Sequence, residues 1–339
     1  MPILWCSEVA LWPAIAPVAV LLGAAIADFC IGDPWQWPHP VQGMGWVIQR
    51  YQTWVFRHLA SPLGQRWAGV GLGLGLPLLS GAIAAGIVTL AARISAIAAV
   101  AIAGGMLASC LAGRSLRDAA EDVLRPLAQG DVPTARSQLS RYVGRDTDDL
   151  DRDEILRAVT ETVSENATDG VLAPLFYGLL GLMVSPAVGV AAAIAYKALS
   201  TLDSMVGYIA PPYTHLGWFS AKAEDCATWL PCRLTVLTIA ALSGRLGHVL
   251  ALCRRDAKAD PSPNAGWSEC AYAAALGVQL GGENRYRGMV KVKPSLGDRD
   301  HPITPDTVRH ALGLTRWAVL LWLAIGCFGL IGRYPLHCG

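Results

Sequence analysis

The feature that most restricts this 339-residue chain is a set of long apolar stretches. Residues 11–31, 67–91, 94–112 and 310–332 each approach or exceed the roughly 20 apolar residues that cross a bilayer core. A backbone at that depth must satisfy its own hydrogen bonds, so these stretches predict helices. The whole chain is 53% hydrophobic and 16% charged. A soluble domain averages about 25% charged residues, so the composition predicts an integral membrane protein. The net charge of +1 gives no basis for a nucleic-acid partner. No Lys or Arg precedes Arg50, which argues against a secretory signal and for a retained first membrane helix.

Two further stretches are ambiguous. Residues 171–199 are apolar but broken by Pro174 and by Ser185-Pro186, and read as one kinked span or as a pair of half-depth helices. Residues 227–243 are a marginal span, interrupted by Pro231 and Arg233. The polar segments are 32–66, 113–170, 200–226 and 244–308. Lys and Arg fall mostly in the first, second and last, which the positive-inside rule places in the cytoplasm. If 171–199 and 227–243 are both re-entrant or interfacial, 200–226 is cytoplasmic too. The expectation is one membrane domain over residues 1–339, all-α, a polytopic helical bundle. It carries a cytoplasmic helical insertion at 113–170, a cytoplasmic segment at 244–308 and a re-entrant hairpin. The glycine run "WAGVGLGLGLPLLSG" (67–81) resembles a phosphate loop, but Leu74 stands where a third glycine is needed and no lysine follows. It reads as small residues within a membrane helix. The nine cysteines are scattered, without zinc-type spacing at Cys226 and Cys232.

Within 113–170 three helices are expected. The first is broken near Pro126 and ended by Gly130. The second is stopped at Gly144. The third is opened by a capping box of Asp151 and Glu154 and stopped at Gly170. On the third, Ile155, Val159 and Val163 form an apolar stripe. Glu161, Glu165 and Asp169 lie at i, i+4 and i+8 on an adjacent face. Like charges so placed repel, and they run up to an apolar stretch where charge is costly. A hard divalent cation would offset both penalties, with Asn166 and Thr168 as further oxygen donors. A solvated helix side is the plainer account.

Other stretches carry chemistry-bearing residues. In "AYKALSTLDSMVGY" (195–208), Lys197, Thr201 and Ser204 share a helical face beside Tyr196, Ser200 and Asp203. Lys197 reads as an anchoring lysine or a phosphate ligand. In "DFCIGDPWQWPHPVQGMG" (28–45), Asp28 and Asp33 flank a glycine and His39 stands between Pro38 and Pro40 in a stiff loop. Trp35 and Trp37 suit a membrane interface. Arg114 in "GRSLRD" and Arg145 in "GRDTDDLD" can fork onto phosphate or carboxylate, or serve as anchoring charge. In "PSPNAGW", Ser262, Asn264 and Gly266 form a turn leading into a helix of small residues.

Taken together, "GDPWQWPHPVQGMG", "GRSL", "GRDTDDLD", "ETVSENATDGVLAPLFY", "YKALSTLDSMVGY", "LPCRL" and "SPNAGW" resemble, in order, the CobD/CbiB family of cobalamin biosynthesis. The chain departs from the family pattern at Ser200 and in "AKAED" (221–225), where Glu224 stands. The resemblance implies an adenosylcobinamide-phosphate synthase, a ligase that uses ATP and Mg²⁺. Such an enzyme joins the corrinoid adenosylcobyric acid to (R)-1-aminopropan-2-ol or its O-phosphate through an amide. Activation as an acyl phosphate requires neutralised phosphate charge and a positioned donor. Glu165, Asp169 and Asp203 are the expected metal ligands, and Lys197, Arg114 or Arg145 the phosphate cation. Glu161 or His39 is the expected base. The expected binding set adds Asp33, Ser115, Asp146, Asn166, Thr201, Ser204, Ser262 and Asn264. The implied location is the inner membrane, multi-pass, with the site facing the cytoplasm. Other enzymes of the pathway, or further copies of the chain, are conceivable partners. A membrane transporter or corrinoid-binding membrane protein is the rival reading, and a non-catalytic membrane scaffold a third.

Overall fold

The apolar stretches form helices in the computed structural model, which describes residues 3–33 and 39–333, with side chains from residue 15 onward. Trp35, Trp37 and Pro38 lie outside the described residues. In chain order the helices begin with α1 (Ile3–Cys30), α2 (Pro40–His58), α3 (Pro62–Ile94), α4 (Ala96–Ala108), α5 (Gly113–Ala128), α6 (Val132–Leu139) and α7 (Arg152–Asn166). A π-helical stretch, Ala167–Leu172, leads into α8 (Ala173–Leu182). Then follow α9 (Pro186–Val206), α10 (Trp218–Leu242), α11 (Leu246–Asp256) and α12 (Ala265–Leu276). Two strands, β1 (Leu280–Tyr286) and β2 (Met289–Leu296), precede α13 (Pro305–Gly332).

Among the described residues four helical segments are long and apolar enough to cross a membrane: Pro62–Ile94, Ala96–Ala128 (α4 with α5), Trp218–Leu242 and Pro305–Gly332; Ile15–Cys30, the part of α1 with described side chains, is a shorter apolar stretch. The third corrects the marginal reading of 227–243. Its helix starts nine residues earlier and runs through Pro231 without a break. The chain divides into two compact units. One contains residues 1–112, 173–227 and 321–339, and the other residues 113–172 and 228–320.

In the first unit, small residues allow close helix approach. A Cβ on Gly69 would strike the Leu216 carbonyl, and one on Gly81 would lie 2.9 Å from the Ala191 carbonyl oxygen. The glycine run of 67–81 is therefore helix-packing surface. Leu74, Leu78, Leu79, Ile83 and Leu90 on α3 are exposed, as suits lipid rather than water. The stretch 171–199 folds as a helical hairpin. Tyr177 stacks on Tyr196 with ring centroids 5.1 Å apart. Gly178 faces Ala193, and Gly181 packs on Gly189. This descending register is that of antiparallel helices. Ser185 turns the chain and caps α9, accepting from the Val188 N–H at 3.2 Å, with Pro186 at the first helical position.

In the second unit, α5, α6 and α7 bury Leu116, Leu124, Leu139, Ile155, Val159 and Val163, the last three being the stripe read from sequence. The Asp151–Glu154 capping box is formed, each bond 2.8 Å. Three local expectations are corrected. Pro126 lies inside α5 without ending it, because the helix continues to Ala128 before Gly130 turns at φ +78°. Helix α6 ends at Leu139, not at Gly144. Gly170 does not stop the third helix. The chain passes through it in π-helical form and continues into α8. The strands pair antiparallel, Tyr286 opposite Met289 and Leu280 opposite Leu296, with an irregularity between Leu280 and Gly282. This hairpin was not expected from sequence.

Candidate functional site

The second unit holds a buried ionic cluster built by α7, α12 and the β-hairpin. Glu161 is 1% exposed. Its Oε2 pairs with Arg145 Nη2, and its Oε1 takes Arg157 Nη1 at 3.4 Å and the Gly281 N–H at 2.9 Å. Arg157 also donates to the carbonyls of Gly281 and, at 2.8 Å, Glu283. Glu161 thus pins the start of β1 to α7. Glu269, fully buried on α12, accepts from Lys293 Nζ of β2 at 2.9 and 3.3 Å. Ser268 bonds the Ser164 carbonyl at 2.6 Å and Thr168 Oγ1 at 2.7 Å. These bonds lock α12 against α7 beside both glutamates.

Glu165 is half-buried on α7. Loss of hydration raises its pKa; Lys293 and Arg145 oppose the rise, while Asp260 and Glu161 add to it. Glu269 is pushed up to about 8, by burial first and by Glu165 and Glu161 in addition, against the pull of Lys293. Lys293 holds its proton more firmly than a free lysine, because Glu269, Glu165 and Glu161 together outweigh its own desolvation. Asp260 Oδ1 accepts from the Ser262 N–H at 2.8 Å, while its buried Oδ2 has no hydrogen-bond partner.

The other predicted residues of this unit distribute as follows. Asp169 lies in the π-helical stretch, so the 3.6-residue extrapolation that gave it a common face with Glu161 and Glu165 does not apply. Its charge reaches Cys232. Asn166 is exposed and donates to the Thr162 carbonyl at 2.9 Å. Asp146 accepts from the N–H groups of Arg287 at 3.0 Å and Gly288 at 2.7 Å, holding the hairpin turn. Arg145 is engaged by Glu161 and Asn284. Arg114 pairs with Asp118 at 2.7 Å on the same helix as Ser115. Ser262 Oγ accepts from the N–H groups of Asn264 (3.2 Å) and Ala265 (3.1 Å), shaping the entry to α12. Buried Asn264 also accepts from Arg233 at 3.4 Å, whose guanidinium lies 4.5 Å from the centre of the Trp267 ring.

The first unit holds the remainder. His39 caps α2, accepting from the Val41 N–H at 3.2 Å, and its Nε2 lies 3.1 Å from Asp33 Oδ1. Asp33 and Lys197 both lie within electrostatic reach of Cys110. Thr201 donates to the Lys197 carbonyl at 2.7 Å and Ser204 to the Ser200 carbonyl at 2.9 Å. A Cβ on Gly207 would collide with Asp203 Oδ1, so glycine makes room for that carboxylate. Among the described residues no three His, Cys, Asp or Glu side chains are grouped as ready metal ligands.

Sequence reasoning missed Glu269, Lys293, Asp260 and Asn284. One signal was available: Glu269 is the single charge in "WSECAYAAAL", where a carboxylate needs a partner.

Several membrane-length helices define a polytopic membrane protein, and its second unit carries a buried set of carboxylates, arginines and a lysine. The CobD/Cbib protein family model matches residues 21–315, and the chain belongs to that family. It is 51% identical over 320 residues to "Cobalamin biosynthesis protein CobD" of Synechocystis sp., covering 93% of each chain. It is 41% identical over 313 residues to "Cobalamin biosynthesis protein CbiB" of Salmonella arizonae, covering 90% of this chain and 96% of the relative. It is 39% identical over 311 residues to the CobD protein of Halalkalibacterium halodurans, covering 90% and 94%. No solved structure matches the chain.

Proposed function

We propose that this protein acts in cobalamin biosynthesis as an ATP-dependent ligase of the inner membrane, working from the cytoplasmic side. In this reading it joins adenosylcobyric acid to (R)-1-aminopropan-2-ol or its O-phosphate. The observation that carries the reading is the Glu165–Glu269–Lys293–Asp260 set. It sets three carboxylates against one lysine, an imbalance that a bound divalent cation would offset, and buried Glu269 holds its proton near neutrality.

A propionate is a poor acyl donor. Transfer of the ATP γ-phosphoryl to its oxygen gives an acyl phosphate and ADP. The amine then attacks the carbonyl carbon and inorganic phosphate leaves. Mg²⁺ fits the donors present: Asp260 Oδ2 is a buried hard oxygen without a partner, and Glu165 is a second one nearby. Two carboxylates with phosphate oxygens suffice for this ion. When bound, it would neutralise phosphate charge. Lys293 and Arg145 supply fixed positive charge for the leaving phosphate. The attacking ammonium must first lose a proton, and Glu269 has a proton affinity suited to accepting it. Glu161, with both oxygens engaged, organises Arg145 and Arg157 rather than exchanging protons. Within the first unit, Lys197, Asp203 and His39 are proposed as substrate-binding residues.

The direct test incubates membranes containing the protein with adenosylcobyric acid, ATP, Mg²⁺ and each amine, and weighs the corrinoid product. ADP and phosphate should appear in step with the amide. Glu165→Gln and Asp203→Asn should each lower turnover by about 10²-fold or more while still inserting in the membrane. Amide formation without ADP would eliminate the acyl phosphate, and wild-type turnover in either variant would remove that residue from the site.

A further inference from the structure

The β-hairpin carries a buried group for which the fold provides no partner. Asn284 is 2% exposed. Its Oδ1 accepts from Arg145 Nη1 at 2.5 Å and from Arg157 Nη1 at 3.4 Å. Guanidinium groups donate and do not accept, so these bonds fix which end of the amide faces them. The amide nitrogen therefore points the other way. It is buried and donates to nothing among the described residues. A buried donor left unmade is costly, and such groups in native folds call for a specific explanation.

The missing partner must be an acceptor, which excludes a metal ion at this atom. The surrounding charge says which kind of acceptor. The two guanidiniums that bond Asn284, those of Arg145 and Arg157, share the single carboxylate of Glu161, which leaves a positive surplus beside this amide. An anion gains from that surplus and a neutral carbonyl does not.

We propose that Asn284 Nδ2 donates to a phosphoryl oxygen of a bound ligand, making the β-hairpin together with Arg145 a phosphate-recognition element. The proposed ligase reaction is used here only to name the two sources of such a group, the nucleotide and the O-phosphate of the amine. The hairpin presents Asn284 rigidly. The Gly281 N–H and carbonyl are held by Glu161 and Arg157, and Asp146 holds the turn at the other end. A donor placed this way would be pre-organised for one oxygen position.

The test measures equilibrium binding of inorganic phosphate, ATP, aminopropanol O-phosphate and plain aminopropanol to the detergent-solubilised full chain. The proposal expects Asn284→Ala to weaken inorganic phosphate by about tenfold and plain aminopropanol not at all. Whichever of ATP or aminopropanol O-phosphate weakens with it is the source of the recognised group. Unchanged affinity for all three phosphorylated probes would overturn the proposal, and so would equal loss for plain aminopropanol. Should the variant fold poorly, the wild type carries its own test. Phosphate should raise its Tm above that in chloride of equal ionic strength, and an identical Tm overturns the site. The two readings fail separately. Amide synthesis with unaltered phosphate binding in Asn284→Ala sinks this inference alone, and Asn284-dependent phosphate binding in a protein that makes no amide sinks the ligase alone.

Discussion

Glu269 sits fully buried on α12, and Lys293 Nζ lies 2.9 Å away. Its folded pKa, about 8, stands well above the ordinary 4.5 it regains on unfolding. The folded chain therefore holds this proton more tightly. Its contribution to stability is full below about pH 4.5, falls as pH rises, and is gone once pH passes about 8. Tm should accordingly drop between pH 5 and pH 8, and Glu269→Gln should flatten that slope, because an amide does not titrate there. An equally steep slope in the variant would assign the pH dependence to other groups. Glu269→Leu is a harsher change, since it strands Lys293 without an acceptor, and should cost about 3–5 kcal/mol, visible as a Tm well below that of Glu269→Gln. At this scale the sequence was half legible. Glu161 and Glu165 announce themselves by helical spacing. Glu269, Asn284 and Lys293 join them across more than 100 positions of chain, and no local period encodes such a contact.

The β-hairpin shows what an element needs beyond its pattern. "GMVKVKP" alternates as a strand does, but it is short, and the surrounding helical signals overshadowed it. The turn uses Arg287 and Gly288 with φ of +52° and +77°, the two left-handed residues of a type I′ turn. Arginine pays a Cβ penalty there that asparagine largely avoids. Arg287→Asn should therefore raise stability by up to ~1 kcal/mol, read as a higher Tm and slower amide exchange in the hairpin. Gly281→Ala is the opposite case. At φ +87° a Cβ would collide with the Pro294 carbonyl, and the same residue's N–H and carbonyl are held by Glu161 and Arg157. It should lower Tm much more than Gly288→Ala, whose Cβ would meet open space at φ +77°. Equal losses at the two glycines would contradict the packing described. The π-helical stretch at 167–172 was equally hidden, because an inserted π turn changes hydrogen bonding without changing composition.

At the scale of the molecule, the apolar stretches located three of the four membrane-length helices found among the described residues, all but Trp218–Leu242, and the prolines located the hairpin of α8 and α9. Helix α8 has ten residues, about 15 Å of rise, roughly half of a ~30 Å hydrocarbon core. Counted without the π-helical stretch and α7 that lead into it, it is too short to span that core. The antiparallel register, Tyr177 on Tyr196 and Gly181 on Gly189, carries α9 back along α8. Asp203 lies seven residues beyond Tyr196, so it returns to the end of the hairpin at which α8 begins. A carboxylate brought back in this way can serve the aqueous compartment at that end of the hairpin. With the nine native cysteines replaced, Asp203→Cys should react with a membrane-impermeant maleimide added to the cytoplasmic face of inverted vesicles. A cysteine at Val184, near the hairpin's turn, should react far more slowly from that face. Labelling of position 203 from the outer face alone would mean that this stretch crosses completely, and would remove Asp203 from any site that draws its nucleotide from the cytoplasm.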